Sequence, residues 1–429
     1  VADKKEYADE QDYSLNSGRY VGVDDDNDGL TKEEFKTLTE EVKKTAGYRE
    51  PIGFGICRVE RGQLDKTKVL QATFPIINWK ENFGSFAVYV KAAMDSGSTI
   101  DFSASEAVVP ATKAFVKSAM ASFEPFLGEA SGDAHKNVQI VQTMANLIKK
   151  SKFCDRGFEF VMIFEDVPVK SVEAGYLKLY ALSTGKAALR SLKLDGIFGA
   201  LHNCAWSNGK PYELDYLRAN EIEMKLANEF PHIDFVDKFP RFLQHIIPAD
   251  NTRILDTTKV RFGAQLGAGT TIMPGASYVN FNAGTLGKSM IEGRVSSSAV
   301  VGEGSDVGGG GSILGVLSGT NGNPITIGEN CLVGANAVCG IPMGDGSIID
   351  AGIAILEGTK IAVPVAELEK IKEANGGETP KGEMKEGEFI TKGMDIGGFK
   401  GVHFRQNSTN GKIMAFRSKR EIKLNAALH

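Results

Sequence analysis

Glu292 and Arg294 are the only charged residues in the glycine-rich stretch between Lys288 and Glu303. A carboxylate can accept a proton from a reacting group, and a guanidinium can bind an anion through paired hydrogen bonds. If both residues lie on one strand, two positions apart, their side chains extend from the same face and can serve one site. The alternative is a surface ion pair without a chemical role.

The acidic segment DDDNDGLTKEEF (24–35) is a second candidate site, because it resembles a calcium-binding EF-hand loop. Loop positions 1, 3, 5 and 6 are occupied by Asp24, Asp26, Asp28 and Gly29. However, position 12 requires a bidentate Glu and is Phe35 here. The other interpretation, which we favour, is a capping box in which Thr31 caps a helix whose third residue is Glu34.

Two glycine patterns imitate phosphate-binding loops. Residues 287–289 match the end of a P-loop, but the glycine that should open the loop is Asn282. A dinucleotide fingerprint starting at Gly302 and Gly304 fails because its last position is Val307. These glycines therefore indicate neither kind of nucleotide loop.

The glycine-rich region instead follows a period of six. Between residues 260 and 360 lie 23 of the 49 glycines. Aliphatic residues recur at every sixth position in four runs: Val260, Leu266, Ile272; Val295, Val301, Val307, Ile313; Ile327, Val333; and Met343, Ile349, Ile355, Ile361. This repeat is typical of a parallel β-helix, in which each six-residue side contributes one inward aliphatic residue and three sides close one coil.

The same period predicts the corners of the coil and the places where it is interrupted. The glycines three residues after an inward position should form tight bends: Gly263, Gly269, Gly275, Gly304, Gly310 and Gly346. The register breaks in three places, with seven residues from Ile272 to Val279, four from Ile291 to Val295, and a polar insertion at 318–326. Insertions in such coils form loops on one face, often the binding face.

Composition narrows the class of protein. A chain of 429 residues predicts at least two structural units, and a net charge of −5 lacks the basic excess needed for nucleic-acid binding. The apolar runs are too short to span a membrane, and the first residues, VADKKEYADEQDY, are too polar for a signal peptide. Five cysteines without a C-x-x-C pair predict reduced thiols. We therefore expect a cytoplasmic protein with neither nucleic acid nor membrane as partner.

The block VNFNAGTLGKSMIEGRVSSSAVVGEGSDVGGGGSILGVLSGT (279–320) resembles the tetrahydrodipicolinate N-succinyltransferase family. The resemblance extends through FVDKFPRFLQHIIPADNTRIL (235–255), GANAVCGIPMGDGSIIDAGIAILEGTK (334–360) and HFRQNSTNG (403–411). Upstream, GFGICRVERGQL (53–64) and YLRANE (216–221) resemble the long form, which has a large N-terminal domain. The resemblance covers residues 31 to 429.

The resemblance implies a left-handed parallel β-helix that forms a homotrimer, with active sites between subunits. It implies succinyl transfer from succinyl-CoA to the nitrogen of tetrahydrodipicolinate, in the diaminopimelate route to lysine. Succinyl-CoA would be a co-substrate, and no permanently bound cofactor is expected. The attacking nitrogen must lose a proton, so this chemistry suits a carboxylate base together with oxyanion donors.

The family's motifs assign roles to individual residues. Glu292 matches the catalytic Glu of the MxEGR motif, as general base or as nucleophile through an acyl anhydride. The residues implied to bind the acyl donor are Arg294, Gly309, Ser312, Gly315, Ala335, Asp350, Gly358, Lys360 and Arg405, the last three at the nucleotide end. Asn280 and Asn282 are implied to bind the carboxylates of the acceptor.

The sequence departs from the family in a few places. The family's usual GGGA is Gly308–Gly311 here, and Thr258 and Gly275 stand where one branch of the family binds an axial metal through acidic residues. We therefore expect no metal. Residues 1–30 have no recognised counterpart and remain an unassigned extension.

The expected organisation has four parts. An α/β domain over 31–255 precedes the β-helix at 256–362, and a C-terminal region at 363–429 follows. Within that region we predict a helix over 364–375, a loop over 378–398, and a hairpin of VHFRQ and KIMAF joined at Asn410-Gly411.

Three other functions are weighed against succinyl transfer. The closest is acetyl transfer to the same acceptor, which the repeat alone does not exclude. A carbonic anhydrase on the same coil would need three histidines in or near the repeat. All six histidines lie before or after it, at His135, His202, His232, His245, His403 and His429. The third is a structural or binding coil without catalysis, in which Glu292 has no special role.

Overall fold

The computed structural model describes residues 30–316, 320 and 322–418. Its first part contains the strands β1 (Gly53–Arg61), β2 (Val69–Thr73), β3 (Asn78–Trp79), β4 (Glu106–Pro110) and β5 (Phe158–Ile163). They form an antiparallel sheet in the order β2-β1-β5-β4, and β3 also pairs with β1. The helices of this part are α1 (Lys32–Lys43), α2 (Phe83–Asp95), α3 (Lys113–Ser122), α4 (Lys136–Lys149) and α5 (Val172–Ser183).

Helix α1 begins with the predicted capping box. The Thr31 hydroxyl accepts from the backbone N–H of Glu34 at 3.2 Å, and the Glu34 carboxylate accepts from the backbone N–H of Thr31 at 2.8 Å. This prediction is confirmed. The residues of the calcium-loop alternative, Asp24, Asp26, Asp28 and Gly29, lie outside the described part of the chain, as does almost all of the extension 1–30.

A smaller unit follows, with α6 (Ile197–Ala200), β6 (Cys204–Ser207), β7 (Lys210–Glu213), α7 (Leu214–Leu226) and β8 (Phe235–Asp237). Its strands form an antiparallel sheet in the order β7-β6-β8. Short 3-10 turns occur at Glu124–Phe126, Phe242–Gln244 and Thr257–Lys259. Among the described residues, no helix is long and apolar enough to cross a bilayer.

The central part of the chain is a coil of two-residue strands. The strands are β9 (Arg253–Ile254), β10 (Thr271–Ile272), β11 (Tyr278–Val279), β12 (Gly284–Thr285), β13 (Met290–Ile291), β14 (Arg294–Val295), β15 (Val300–Val301), β16 (Asp306–Val307), β17 (Ser312–Ile313), β18 (Thr326–Ile327), β19 (Leu332–Val333), β20 (Val338–Cys339), β21 (Ile348–Ile349) and β22 (Ala354–Ile355). They pair in parallel to form three sheets, which we call faces. Face one is β9-β10-β13-β16-β19-β21, face two is β11-β14-β17-β20-β22, and face three is β12-β15-β18.

The six-residue period is confirmed as the inward set of this coil. Every aliphatic residue of the four predicted runs is buried, and all of them belong to one hydrophobic core. The six predicted corner glycines have φ between 69° and 92°, a conformation that favours glycine. Because each strand pairs with its equivalent in the next coil, residues at the same corner of successive coils stack along one edge.

The C-terminal region extends face one. It contains β23 (Lys360–Pro364), α8 (Val365–Ala374), β24 (Gly382–Lys385), β25 (Glu388–Lys392), α9 (Gly393–Ile396), β26 (Val402–Gln406) and β27 (Ile413–Arg417). From the coil outward the order is β21-β26-β27-β23-β25-β24. The predicted helix is confirmed as α8, and the predicted hairpin is confirmed as β26 and β27, which pair antiparallel.

The predicted loop over 378–398 is wrong, because β24, β25 and α9 lie within it. The two strands form a hairpin whose turn residues, Glu386 and Gly387, both have positive φ, as a type I′ hairpin turn requires. All four residues of β24 are exposed. The strand therefore lacks the alternation of apolar and polar residues by which a sequence indicates a half-buried strand.

Helix α5 joins the first sheet to the beginning of the coil. All twelve of its residues are buried. The ring of Tyr180 lies 4.8 Å from that of Phe262, and a Cβ at Gly263 would be 2.5 Å from the Leu179 side chain. The hydrophobic core therefore continues from α5 into the first coil.

His245 lies half-buried at this junction. Its ring stacks on Phe262 with 4.5 Å between centroids, its Nδ1 is 2.7 Å from the Tyr180 hydroxyl, and its Nε2 is 3.1 Å from the Gln71 side-chain nitrogen. Because the amide nitrogen of Gln71 can only donate, Nε2 must accept, which requires the neutral imidazole. Burial lowers the pKa of His245 to about 3.

This environment predicts a pH-dependent stability. Since the folded-state pKa lies below the ordinary value of about 6.5, His245 contributes its full stability above that value and loses it as the pH falls toward 3. Between pH 6.5 and 5 the loss should be roughly 2 kcal/mol. Urea unfolding of the wild type and of His245→Gln at both pH values measures this difference, with exposed His232→Gln as control. Equal pH dependence in the wild type and His245→Gln would contradict the assignment.

Candidate active site

The corner between faces one and two, here called edge one, carries Glu292. Ile291, Val307, Val333 and Ile349 are register partners in successive coils. The residues that follow them, Glu292, Gly308, Gly334 and Asp350, therefore stack in a column along the coil axis. Gly309 and Ala335 lie one residue further on in this edge, so the stacking aligns four of the predicted site residues.

The Glu292 carboxylate lies against Gly309 of the next coil. A Cβ at Gly309 would be 3.5 Å from Oε2 of Glu292. The side chain is half-buried, and its carboxylate has no hydrogen bond or ion pair within the described chain. The backbone N–H of Gly309 likewise has no acceptor there. A carboxylate that can accept a proton is thus next to a backbone donor that can bind an oxyanion.

Gly293 allows this close approach between coils. A Cβ at this position would lie 2.2 Å from the carbonyl oxygen of Gly311 and 2.9 Å from that of Gly308. Neither contact is possible for a real side chain. The glycine following Glu292 therefore sets the distance between the Glu292 corner and the turn at 308–311.

Arg294 lies on face two, not on the strand that precedes Glu292. Glu292 and Gly293 form the corner after β13, and Arg294 begins β14, so the expectation that both charges share one strand is wrong. Only Glu292 and Gly293 separate the end of β13 from the start of β14. The four-residue interval from Ile291 to Val295 is therefore a short corner, and Glu292 lies in this corner and not on a strand. Both side chains lie in the described part of the chain, and they form no ion pair with each other.

Ser312 is the partner of Arg294. The Nε and Nη2 groups of Arg294 donate to the Ser312 hydroxyl at 3.1 and 2.9 Å, and the two residues are register neighbours. Gly315 is buried two residues beyond β17, where a Cβ would be 3.0 Å from that of Ser296. Face two thus brings Arg294 and Ser312 together, with Gly315 at the corner between faces two and three, here called edge two.

Asn280 and Asn282 lie at edge two, one coil before Ser296. The side-chain oxygen of Asn280 accepts from Arg261 at 3.2 Å, and that of Asn282 accepts from the backbone N–H of Arg190 at 2.8 Å. Both oxygens therefore hold parts of the fold together. The structure does not bring either residue to the edge that carries Glu292.

An arginine–aspartate cluster adjoins Asn280. Asp237 receives hydrogen bonds from Arg241 at 2.8 Å and from Arg261 at 3.0 and 3.1 Å. Burial opposes the ionisation of Asp237, but the two arginines hold its pKa below the ordinary value. Two guanidinium groups and one carboxylate leave this part of edge two with a net positive charge.

Asp350 lies further along edge one and is held by two residues of β26. Its oxygens bond Nε2 of His403 at 2.7 Å and Nε of Arg405 at 3.2 Å. His403 was not among the predicted residues. The signal that could have found it is its spacing, since a residue two positions before Arg405 on a strand extends from the same face.

The remaining predicted residues lie at the end of the coil. Gly358 and Lys360 are exposed, and a Cβ at Gly358 would meet nothing within 4 Å. In the described chain, no group of three or more His, Cys, Asp or Glu residues could hold a metal. The five cysteines are unpaired, and of these only Cys154 is exposed.

The packing of Gly293 gives a testable expectation. Gly293→Ala should force the 308–311 turn away from Glu292 and reduce the free energy of unfolding by about 1 to 3 kcal/mol, as overpacking does. Gly358→Ala is the matched control, because its Cβ enters open space. Urea midpoints measure both variants. If Gly293→Ala kept the wild-type midpoint, the inferred contact with the 308–311 turn would be incorrect.

Comparisons with known proteins agree with this architecture. Family models described as tetrahydrodipicolinate N-succinyltransferase N-terminal and middle match residues 33–199 and 201–241, and one described as hexapeptide repeat of succinyl-transferase matches 324–357.

Curated relatives match nearly the whole chain. The 2,3,4,5-tetrahydropyridine-2,6-dicarboxylate N-succinyltransferase of Sulfurimonas denitrificans is 61% identical over 93% of this chain and 99% of its own length. The protein of the same name from Campylobacter jejuni is 55% identical over 93% of this chain and 99% of its own length. A crystal structure from Campylobacter jejuni, named as a 2,3,4,5-tetrahydropyridine-2-carboxylate N-succinyltransferase, has a TM-score of 0.84 and 53% identity, covering 92% of this chain and all of that one. The chain therefore belongs to the tetrahydrodipicolinate N-succinyltransferase family.

Proposed function

We propose that this protein transfers the succinyl group of succinyl-CoA to the ring nitrogen of hydrated tetrahydrodipicolinate, and that ring opening then gives N-succinyl-2-amino-6-oxopimelate, with release of CoA, in the diaminopimelate route to lysine. The names of its close relatives support the reaction. The observation that carries the site assignment is the unpartnered Glu292 carboxylate beside the free N–H of Gly309. The reaction needs these two groups at one point: a proton acceptor for the attacking nitrogen and a donor for the thioester oxygen.

Glu292 is the proposed catalytic residue. As general base it takes the proton from the nitrogen while that nitrogen attacks the thioester carbon and the CoA sulfur leaves. As nucleophile it would itself attack the thioester and form an acyl anhydride, which the nitrogen then opens. Gly309, Ser312 and Gly315 are proposed to line the thioester, and Arg294 to bind the succinyl-CoA donor.

The rest of the donor is proposed to follow edge one. Asp350 lies in the column above Glu292, and Ala335 lies one residue beyond this column on the same edge. Both lead toward Arg405, Lys360 and Gly358 at the end of the coil. Lys and Arg suit phosphates, as a point charge and a planar fork respectively. Asn280 and Asn282 remain proposed contacts of the acceptor. Asn280 adjoins the cluster of Asp237, Arg241 and Arg261, whose net positive charge suits the acceptor's carboxylates.

The distribution of these residues supports a homotrimer with sites between subunits. Glu292 and Asn280 lie on different edges of adjacent coils, so a pocket containing both is best formed when edge one of one subunit faces edge two of another. We also propose that the coil is left-handed, that the units are 31–255, 256–362 and 363–429, and that the protein is cytoplasmic.

A coupled thiol-release assay tests the reaction. With tetrahydrodipicolinate as acceptor, succinyl-CoA should give faster turnover than acetyl-CoA. Faster turnover with acetyl-CoA would favour the acetyltransferase alternative. Absence of thiol release from either donor would overturn the proposed function.

Glu292→Gln should abolish transfer while CoA binding and assembly persist. The amide keeps the shape of the carboxylate but can neither accept the proton nor attack the thioester, and loss of a general base costs about 10²- to 10⁴-fold in rate. Glu303→Gln, which changes an exposed carboxylate at another corner of the same coil, is the matched control. More than about a tenth of wild-type turnover in Glu292→Gln, well above that expected range, would remove Glu292 from the mechanism.

Arg294→Ala should act differently, mainly raising the KM for succinyl-CoA, because its proposed partner is the donor. The KM for tetrahydrodipicolinate measured in the same assay is the internal control. A change confined to that second KM would place Arg294 with the acceptor instead.

The assembly is tested by light scattering at micromolar concentration. We expect three times the chain mass of 46.1 kDa. A monomeric mass would exclude a site shared between subunits.

A further inference from the structure

A polar cavity of about 370 Å³ lies between the first sheet and the turn that joins β6 to β7. It is lined by residues of β1, β2, the β6–β7 turn with Lys210 beside it, and the 3-10 turn Phe242–Gln244, all of them polar or glycine. None of them belongs to the coil, so the cavity is separate from the candidate active site. Its volume lies in the range of small-molecule sites, and its polar lining requires a ligand that forms hydrogen bonds.

The first sheet supplies hydrogen-bond acceptors to this cavity. Gln71 of β2 and Glu60 of β1 are direct register partners, and both line the cavity. Gln71 is only 5% exposed, and its side-chain nitrogen is bonded to His245, whereas its side-chain oxygen accepts no hydrogen bond within the described chain. One oxygen of Glu60 lies 3.2 Å from Arg58, and the other has no partner there. The sheet thus offers an amide oxygen and a carboxylate oxygen to a ligand.

Lys210 and Gln244 supply hydrogen-bond donors from the side of the β6–β7 turn. The side-chain oxygen of Gln244 accepts from the backbone N–H of Arg241 at 3.1 Å, which leaves its side-chain nitrogen without an acceptor in the described chain. Lys210 is exposed, and its ammonium group forms no ion pair in the same part of the protein. An ammonium group and an amide N–H are together suited to a carboxylate.

The β6–β7 turn is held in place without a ligand. Its two residues, Asn208 and Gly209, have φ of 47° and 73°, as a type I′ hairpin turn requires. The backbone N–H of Asn208 donates to the Asp234 carboxylate at 2.8 Å, and a Cβ at Gly209 would be 4.0 Å from Cγ of Gln244. The donors therefore belong to a defined wall of the cavity.

These groups determine what a ligand must carry. An ammonium group only donates hydrogen bonds, and a carboxylate only accepts them. A molecule with both charges satisfies the acceptors, Gln71 and Glu60, as well as the donors, Lys210 and Gln244. A simple anion or cation satisfies half of them. The Gln71 oxygen makes this difference large, because a mostly desolvated acceptor without a donor costs free energy.

We propose that this cavity binds a free amino acid in its zwitterionic form. The ammonium group of the ligand donates to the Gln71 side-chain oxygen and to Glu60, and its carboxylate accepts from Lys210 and Gln244. The proposal is independent of the reaction proposed above, because no residue of the coil takes part.

Thermal unfolding of the full chain with each standard L-amino acid at millimolar concentration is the first test. At least one should raise the Tm by a few degrees, because a ligand that binds only the native state stabilises it. The N-acetyl derivative and the carboxamide of that amino acid each lack one of the two charges. Both should bind about tenfold more weakly in calorimetric titration, since each loses charge-assisted hydrogen bonds.

Variants of the cavity locate the bound amino acid. Lys210→Met and Glu60→Gln should each raise its Kd about 3- to 10-fold, the range for charged contacts at partly exposed sites. Lys210→Arg should keep most of the affinity. Without ligand, Lys210→Met should melt like the wild type, because the side chain is exposed and has no ion pair in the described chain. Lys66→Met, an exposed lysine in the connection between β1 and β2, is the matched control.

Three outcomes would overturn the proposal. The first is that no amino acid shifts the Tm. The second is an unchanged Kd in both Lys210→Met and Glu60→Gln, which would place the ligand elsewhere. The third is displacement of the amino acid by tetrahydrodipicolinate, or its loss in Glu292→Gln, which would place it in the acceptor site. None of these measurements uses thiol release, so failure here leaves the proposed reaction intact, and an inactive enzyme would leave this site untouched.

Discussion

The stacking of one coil on the next is the constraint on which the rest of the structure depends. Each six-residue side of a coil buries one inward aliphatic side chain, and parallel pairing between coils fixes the register of their strands. The corner positions are then no longer independent. A residue placed after the inward position of one coil is aligned with its equivalents above and below, as Glu292 is with Gly308, Gly334 and Asp350.

Structural residues and candidate functional residues differ in whether their polar groups have hydrogen-bond partners within the protein. The Asp237 carboxylate and the side-chain oxygens of Asn280 and Asn282 are used within the protein. Asp237 and Asn282 connect the coil to the segments before it, and Asn280 accepts from Arg261 within the coil. In the described chain the Glu292 carboxylate and the Gly309 N–H have no such use. Because desolvating an unsatisfied polar group costs free energy, their retention at a half-buried edge is easier to explain if a substrate completes them.

Much of this organisation could be predicted from the sequence, because a period of six and the positive φ of corner glycines depend on local residue types. The relation between Glu292 and Arg294 could not, since a two-residue interval is the same on a strand and around a corner. The hairpin of β24 and β25 was missed for another reason. Its first strand is exposed on all residues, so pairing with β25, rather than burial of an apolar face, forms it.

The complete burial of α5 bears on whether the parts of this chain are interchangeable. Repeat coils usually end in a polar cap, but here the first coil offers Phe262 and the bare backbone of Gly263 to Tyr180 and Leu179. The amino-terminal half is therefore the cap of the coil. Since α5 is synthesised first, it can serve as a template on which the first coil closes. A chimera that joined this coil to an unrelated amino-terminal domain would have to supply the same apolar surface or leave the first coil open to water.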